Sequence, residues 1–131
     1  MSTFKSTVTV NRPAEEVFNF LADFNNHQGL MPGNVVNWSS GYDDAYFEVP
    51  NMLKLRLKIT ERKPNGFIEI SPVEKPPFAV KLHWEIKSGK DTSEVTFTIT
   101  AELNMMMMMM ASGPLQKLAD HQTQALIGLL K

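Results

Sequence analysis

The most constraining feature of the chain is its C-terminal stretch, Met105 to Lys131. Six consecutive methionines, Met105 to Met110, open it, and Gly113-Pro114 leads into an amphipathic run. There Leu115, Leu118, Ala119, Gln122, Ala125, Leu126 and Leu129 fall at helical spacing, with only Gln122 breaking the apolar stripe. As a helix the stretch spans roughly 35–40 Å at 1.5 Å per residue. Most of the chain before it alternates with period two. A long helix with one greasy face needs a sheet to lie on, and the sheet needs the helix to cover its inner face.

The strands are legible one by one. Phe4, Ser6, Val8 and Val10 alternate with Lys5, Thr7 and Thr9. A helix follows, with Asn11 or Arg12 at the cap, Pro13 in the first turn, and Glu15 and Glu16 at the positive end of its dipole. Val17, Phe20, Leu21 and Phe24 give it an apolar face, and Asp23 to Asn26 end it. The segment His27 to Gly33 has room for no more than one further helical turn. Val35 to Ser40 and Ala45 to Val49 read as short strands, the second with Phe47 and Val49 on one face and Tyr46 and Glu48 on the other. Leu53, Leu55, Leu57 and Ile59 alternate with Lys54, Arg56, Lys58 and Thr60, giving one apolar and one basic face. Pro64-Asn65-Gly66 is a hairpin turn, since Asn-Gly tolerates the positive φ such turns require. Phe67 to Val73 is a strand, Glu74 to Pro77 a proline-rich connection, and two further alternating strands carry Val80, Leu82, Trp84, Ile86 and Val95, Phe97, Ile99, Ala101. One apolar and one polar face per strand is the pattern of an antiparallel sheet wet on one side. Twisted, six or seven such strands curl around a helix laid across the concave face. The fold class is α+β, a curved antiparallel sheet around a long C-terminal helix, with short helices after the first strand.

Composition narrows the function classes. Thirteen Lys+Arg against fourteen Asp+Glu give a net charge of −1 with no basic stripe, so the footprint of a nucleic-acid binder is missing. With no cysteine there is no disulfide and no thiolate metal site. The polar, alternating start is not a secretory signal, and no apolar run reaches the ~18–20 residues a bilayer requires. The expectation is one soluble, cytoplasmic domain without membrane insertion. His27, His83 and His121 lack ligand spacing, so no metal is expected.

The order of elements resembles the helix-grip fold of the START-like superfamily, also called SRPBCC or birch-pollen-allergen-like. The likeness is carried by Ser6-Thr7-Val8-Thr9-Val10-Asn11-Arg12-Pro13-Ala14-Glu15-Glu16-Val17-Phe18-Asn19-Phe20-Leu21-Ala22-Asp23, where an alternating strand meets a short Pro/Ala-initiated helix ending in Leu-x-Asp. The run Gly113-Pro114-Leu115-Gln116-Lys117-Leu118 within the final helix adds to it. The resemblance spans the whole chain and contains no catalytic signature. It implies a cavity between sheet and final helix, used by members for lipids, sterols, polyketides, hormones or aromatic rings. Some members are polyketide cyclases and dehydratases; others are carriers, sensors or chaperone activators. The iron–sulfur and mononuclear iron motifs of the oxygenase members are missing here, and no cofactor is expected.

Under this reading the cavity lining comprises Phe20, Phe24, Trp38, Tyr46, Leu55, Leu57, Ile70, Leu82, Trp84, Phe97, Ile99, Met105, Met108, Met109 and Leu115. No Asp, Glu, His, Lys or Arg falls on the inward register of the clear strands, so acid–base groups could come only from loops or helix ends. His83 points outward, His27 sits in the helical turn near the mouth, and His121 lies on the polar side of the last helix. Trp38 and Trp84 offer a broad apolar face and one N–H donor, as pocket walls or as core. The methionines fit three descriptions: core filler, a flexible lid over varied ligands, or a partner surface. Gly113-Pro114 is expected to kink or break the helix behind them. The leading expectation is non-covalent binding of a small hydrophobic molecule. A cyclase- or dehydratase-type enzyme using His27 or Tyr46 is an alternative, as is a self-associating module with a filled cavity. A homodimer is compatible with any of them.

Overall fold

The computed structural model describes residues 2–50, 53–73 and 79–130. The proline-rich connection from Glu74 to Pro77 lies outside them. Strand β1 (Ser2–Val10) leads to helix α1 (Ala14–Leu21) and two single 3-10 turns, Phe24–Asn26 and Gln28–Leu30. Six strands follow: β2 (Val36–Ser40), β3 (Asp44–Val49), β4 (Leu53–Lys63), β5 (Phe67–Pro72), β6 (Val80–Ser88) and β7 (Ser93–Ala101). Helix α2 (Met105–Leu129) ends the fold. The seven strands form one curved antiparallel sheet in the order β1-β7-β6-β5-β4-β3-β2, so the first strand pairs with the last. The segment with α1 and the 3-10 turns crosses from one sheet edge to the other, after which β2 to β7 meander back. This is an α+β helix-grip architecture, as the alternating strands and long amphipathic helix require.

The sheet register follows the period-two pattern. Leu57, Ile59, Ile68, Ile70, Trp84, Ile86, Phe97 and Ile99, all on the inward register, are buried. In the hairpin between β4 and β5, Gly66 N–H donates to Lys63 O at 2.9 Å and Asn65 takes φ 59°. Proline followed by a positive φ is the order of a type II turn, and here asparagine, not the glycine, occupies the left-handed position. β4 keeps its pairing past Ile59 through a register shift before Glu61.

Two local expectations are corrected. The N-cap of α1 is Pro13, which was expected in the first turn behind an Asn11 or Arg12 cap, and no side chain caps it. The buried face of α1 is Ala14, Val17, Phe18 and Leu21. Phe18 thus takes the place expected of Phe20, which is half-buried; Phe24 belongs to the first 3-10 turn, whose leading Asp23 accepts from Asn25 N–H at 2.9 Å. The i, i+3, i+4, i+7 spacing is satisfied from Ala14 as well as from Val17, and the helix is too short to reach Phe24.

The larger correction concerns α2. It runs without interruption through Gly113 and Pro114 for 25 residues, so of the kink or break expected there, the break does not occur. Proline removes one backbone donor, and both residues are solvent-exposed, with Pro114 bordering the cavity described below. Asn104 starts the helix by accepting from Met107 N–H at 2.8 Å. Its second half is fastened to the sheet: Gln116 Nε2 donates to Lys5 O at 2.9 Å, and Thr123 and Ser6 hydroxyls meet at 2.6 Å. Arg12 Nε donates to Leu130 O at 3.1 Å, a cation on the negative end of the helix. Ala119 and Leu126 are fully buried beneath this half.

Candidate functional site

The helices do not cover the sheet evenly. α1 packs against β5 and β6, while α2 packs against β1, β7 and the second 3-10 turn. Between α2 and the ends of β3, β4 and β6 there remains a cavity of about 470 Å³. That is within the size range of small-molecule sites. Its sheet wall is Phe47 and Val49 of β3, Leu55 and Leu57 of β4, Val80 and Leu82 of β6, and Ile99 of β7. The pairings Phe47↔Leu55 and Leu82↔Ile99 bring these residues to one end of the concave face. The opposite wall is α2, through Pro114, Leu115, Lys117, Leu118, His121 and Gln122, and the segment before β2 closes a third side with Met31, Pro32, Asn34 and Val35. Thirteen of these seventeen described lining residues are apolar, and none is acidic.

Gln122, the one polar residue in the helix's apolar stripe, is buried and donates from Nε2 to Met31 Sδ at 3.9 Å. Lys117 and His121 are exposed at the α2 side of the mouth. Neither has a hydrogen-bond or ion-pair partner among the described residues. Among those residues, too, no three His, Asp or Glu side chains converge as metal ligands would.

At the other end of the same inward face the space is filled. Trp84 is wholly buried and stacks on Phe97, ring centroids 4.3 Å apart. His27 is buried with them, edge-on to Phe24 at 4.8 Å and to Trp84 at 6.5 Å. Its Nε2–H donates to Leu21 O at 2.8 Å. Burial lowers its pKa from 6.5 to about 4, against smaller opposing effects of the Leu21 carbonyl and the Asp23 carboxylate. His27 is therefore neutral at pH 7. Trp84 Nε1 has no hydrogen-bond partner among the described residues.

Of the fifteen residues expected in the lining, the cavity brings together Leu55, Leu57, Leu82, Ile99 and Leu115. Trp84, Phe97 and Ile70 are on the inward face as expected, but in the packed core, because α1 reaches their end of the sheet. Phe24 is core beneath the 3-10 turns, and Phe20 packs against that core. Trp38 stacks on Phe47 from outside the lining, its Nε1–H donating to Ser40 Oγ at 3.1 Å. Tyr46 faces away, opposite Phe47: its hydroxyl donates to Glu48 Oε2 at 2.7 Å and Arg56 lies over its ring. That hydroxyl, followed by the Asn37 side chain, holds the Glu48 carboxyl below its ordinary range. Met105, Met108 and Met109 are exposed, as are Met106 and Met110, and none lines the cavity. The run occupies the first turns of α2, N-terminal to the part that faces the sheet.

The lining residues outside the expected fifteen are Met31, Pro32, Asn34 and Val35, in a segment without periodicity, Phe47, Val49 and Val80 on the sheet, and Pro114, Lys117, Leu118, His121 and Gln122 on α2. His121, expected on the solvated side, contributes to the mouth. The i, i+4 spacing of Lys117 and His121, and the i, i+4 spacing of Leu118 and Gln122, carried the signal for the α2 wall.

Residues 1–127 match the family model described as polyketide cyclase / dehydrase and lipid transport. Among solved structures, the protein XoxI from Bacillus cereus is similar with a TM-score of 0.78 at 14% identity, covering 99% of this chain and 96% of that one. A START superfamily protein from Mycobacterium smegmatis has a TM-score of 0.72 at 15% identity, covering 98% and 96%. The Aha1 dimer from Colwellia psychrerythraea has a TM-score of 0.66 at 13% identity, covering 99% and 94%. No curated protein sequence matches the chain. Among the described residues no helix is long and apolar enough to cross a membrane.

Proposed function

The chain belongs to the polyketide cyclase / dehydrase and lipid transport family, and on that premise we propose that it binds a small hydrophobic molecule non-covalently between the sheet and α2. The observation that carries this reading is the cavity of about 470 Å³, whose described lining has thirteen apolar residues and no carboxylate. A cyclase or dehydratase needs an acid or base held in place by a further group. His27 and Tyr46, the anticipated candidates, do not line the cavity, and His121, which does, has no orienting partner among the described residues. Such a wall favours retention of an apolar molecule by burial, at roughly 25 cal/mol per Å² removed from water.

The test is native mass spectrometry of the protein purified from its own host, beside a Leu82→Trp variant that fills the cavity. The expected result is an apolar small molecule released from the wild type and missing from the variant. Repeated recovery of empty wild-type protein that also fails to bind the neutral dye N-phenyl-1-naphthylamine overturns the reading.

A second reading, self-association, rests on a separate observation. Five methionines of the run Met105 to Met110 are 43–83% exposed, a contiguous apolar patch of the kind that contacts a partner. One structural neighbour is described as a dimer. The two readings are compatible, since the patch and the cavity lie on different parts of α2.

A further inference from the structure

The cavity wall is uneven in polarity, and the unevenness describes the ligand. The described sheet residues of the lining are all apolar: Phe47, Val49, Leu55, Leu57, Val80, Leu82 and Ile99. Among the described lining residues formal charge comes from Lys117 on α2, and His121 sits one helical turn further along the same face. Both are exposed and neither is engaged by a described residue. The neighbouring carboxylate, Asp120, is turned to another side of the helix: its Oδ1 accepts from Gln116 Nε2 at 3.1 Å, and that same nitrogen donates to Lys5 O on β1. Lys117 is therefore an ammonium at the mouth of an apolar hollow with no acidic residue in the described lining to neutralise it. Its methylene stem can lie along the apolar wall while the charge stays at the opening. A cation beside a low-dielectric wall focuses its field on whatever occupies the mouth.

Resting on the ligand-binding reading above, we infer that the ligand is an amphipathic anion. Its apolar ring or chain lies against β3, β4 and β6, and its carboxylate, sulfonate or phosphate head sits at Lys117 and His121. An ammonium supplies three donors and His121 a ring N–H, both suited to an anionic oxygen. A cationic head at this place would meet Lys117 at close range, and a neutral head would leave the charge unmatched.

Two dyes with one skeleton separate this inference from the reading it rests on. They are 8-anilino-1-naphthalenesulfonate and its uncharged counterpart N-phenyl-1-naphthylamine, each titrated by fluorescence against the full chain at low ionic strength. The quantity read is the ratio of their affinities, which removes the intrinsic difference in hydrophobicity. Lys117→Met is expected to lower the sulfonate-to-neutral ratio by about 2–5-fold, the range for one exposed charge contact. Lys117→Glu is expected to lower it further. Lys87→Met, an exposed lysine on β6 outside the cavity, is expected to leave the ratio where it was and so controls for net charge. A ratio unmoved by both Lys117 variants, or moved equally by Lys87→Met, overturns the anionic head and leaves the carrier reading standing. Failure of both dyes to bind folded wild-type protein overturns the carrier reading, and the inference with it.

Discussion

The two ends of the concave sheet face are built from the same alternation and do opposite things. At one end Ile68, Trp84, Phe97 and Val95 are at most 1% exposed, sealed by Val17, Phe18 and Leu21 of α1 and by His27. At the other, Leu55, Val80 and Leu82 hold the same inward register yet are only half-buried, and they wall the cavity. The strands do not distinguish the two ends. What lies across from them does: α1 is two turns long and fills one end, while α2 leans on β1 and β7 and stands off from β3, β4 and β6. An inward apolar residue becomes core or cavity wall according to the reach of its helix.

The largest expected effect tests that contrast by truncation. Trp84→Ala opens a void in a packed region and is expected to cost about 3–5 kcal/mol. Leu82→Ala, two residues away on the same strand and face, borders space already empty and is expected to cost roughly 1 kcal/mol, because it loses fewer neighbours. Urea denaturation of both variants measures the difference. Equal costs would mean that the two ends are packed alike.

Next in size is the response to acid, which at the packed end comes from His27. Folded His27 takes its proton only near pH 4, whereas the unfolded chain takes it near 6.5. Between those values the unfolded state binds more protons, so stability rises with pH and falls on acidification. A separation of this size corresponds to about 3 kcal/mol lost between pH 6.5 and pH 4. His27→Gln removes the titration and is expected to show a flatter stability profile over that window, whatever its stability at pH 7. A variant profile parallel to the wild type would place the acid sensitivity elsewhere.

Enlargement reverses the truncation pair at smaller magnitude. Ile68→Trp has no room and is expected to destabilise by about 1–3 kcal/mol. Val80→Trp projects into the hollow and is expected to change stability by less than about 1 kcal/mol. It should also weaken binding of N-phenyl-1-naphthylamine by about tenfold or more, read by the same denaturation and by dye titration. A Val80→Trp variant that bound the dye normally would show that the dye sits elsewhere.

The fold was legible because its signals are periodic. Seven strands and the long helix each repeat a pattern over five or more residues, and Asn65 marks its turn by backbone chemistry. The cavity was legible only in part, for a physical reason. Leu55, Leu57, Leu82 and Ile99 could be placed on the inward face by counting, but so could Ile70, Trp84 and Phe97, and counting does not reveal where α1 ends. Phe18 and Phe20 are both compatible with an apolar helical face, and two residues decide which one seals the core. Met31, Asn34 and Val35 reach the cavity through an irregular segment that carries no period at all. Lys117 and His121 were hidden by their own polarity, since a charged helical residue beside solvent resembles any other until the neighbouring wall is known to be hollow.

The methionine run gives the smallest expected effect on stability and separates α2 into two halves as the sheet is separated into two ends. Its C-terminal half is fixed by Gln116, Thr123 and the Arg12 cap, whereas the first turns present Met105, Met106, Met109 and Met110 to water. Replacing these four with glutamine keeps helix propensity and side-chain length while removing the apolar surface. Each change is expected to alter stability by no more than about 0.5 kcal/mol, as for exposed positions generally. Affinity for N-phenyl-1-naphthylamine is expected to stay within about twofold, because none of the four borders the cavity. The property expected to move is association: sedimentation equilibrium should show wild-type self-association that the glutamine variant lacks. A large loss of dye affinity in that variant would instead make the run a lid, joining the two halves of α2 in one function. Unchanged sedimentation would remove the self-association reading and leave the exposed thioethers without a role in the molecule's contacts with its own copies.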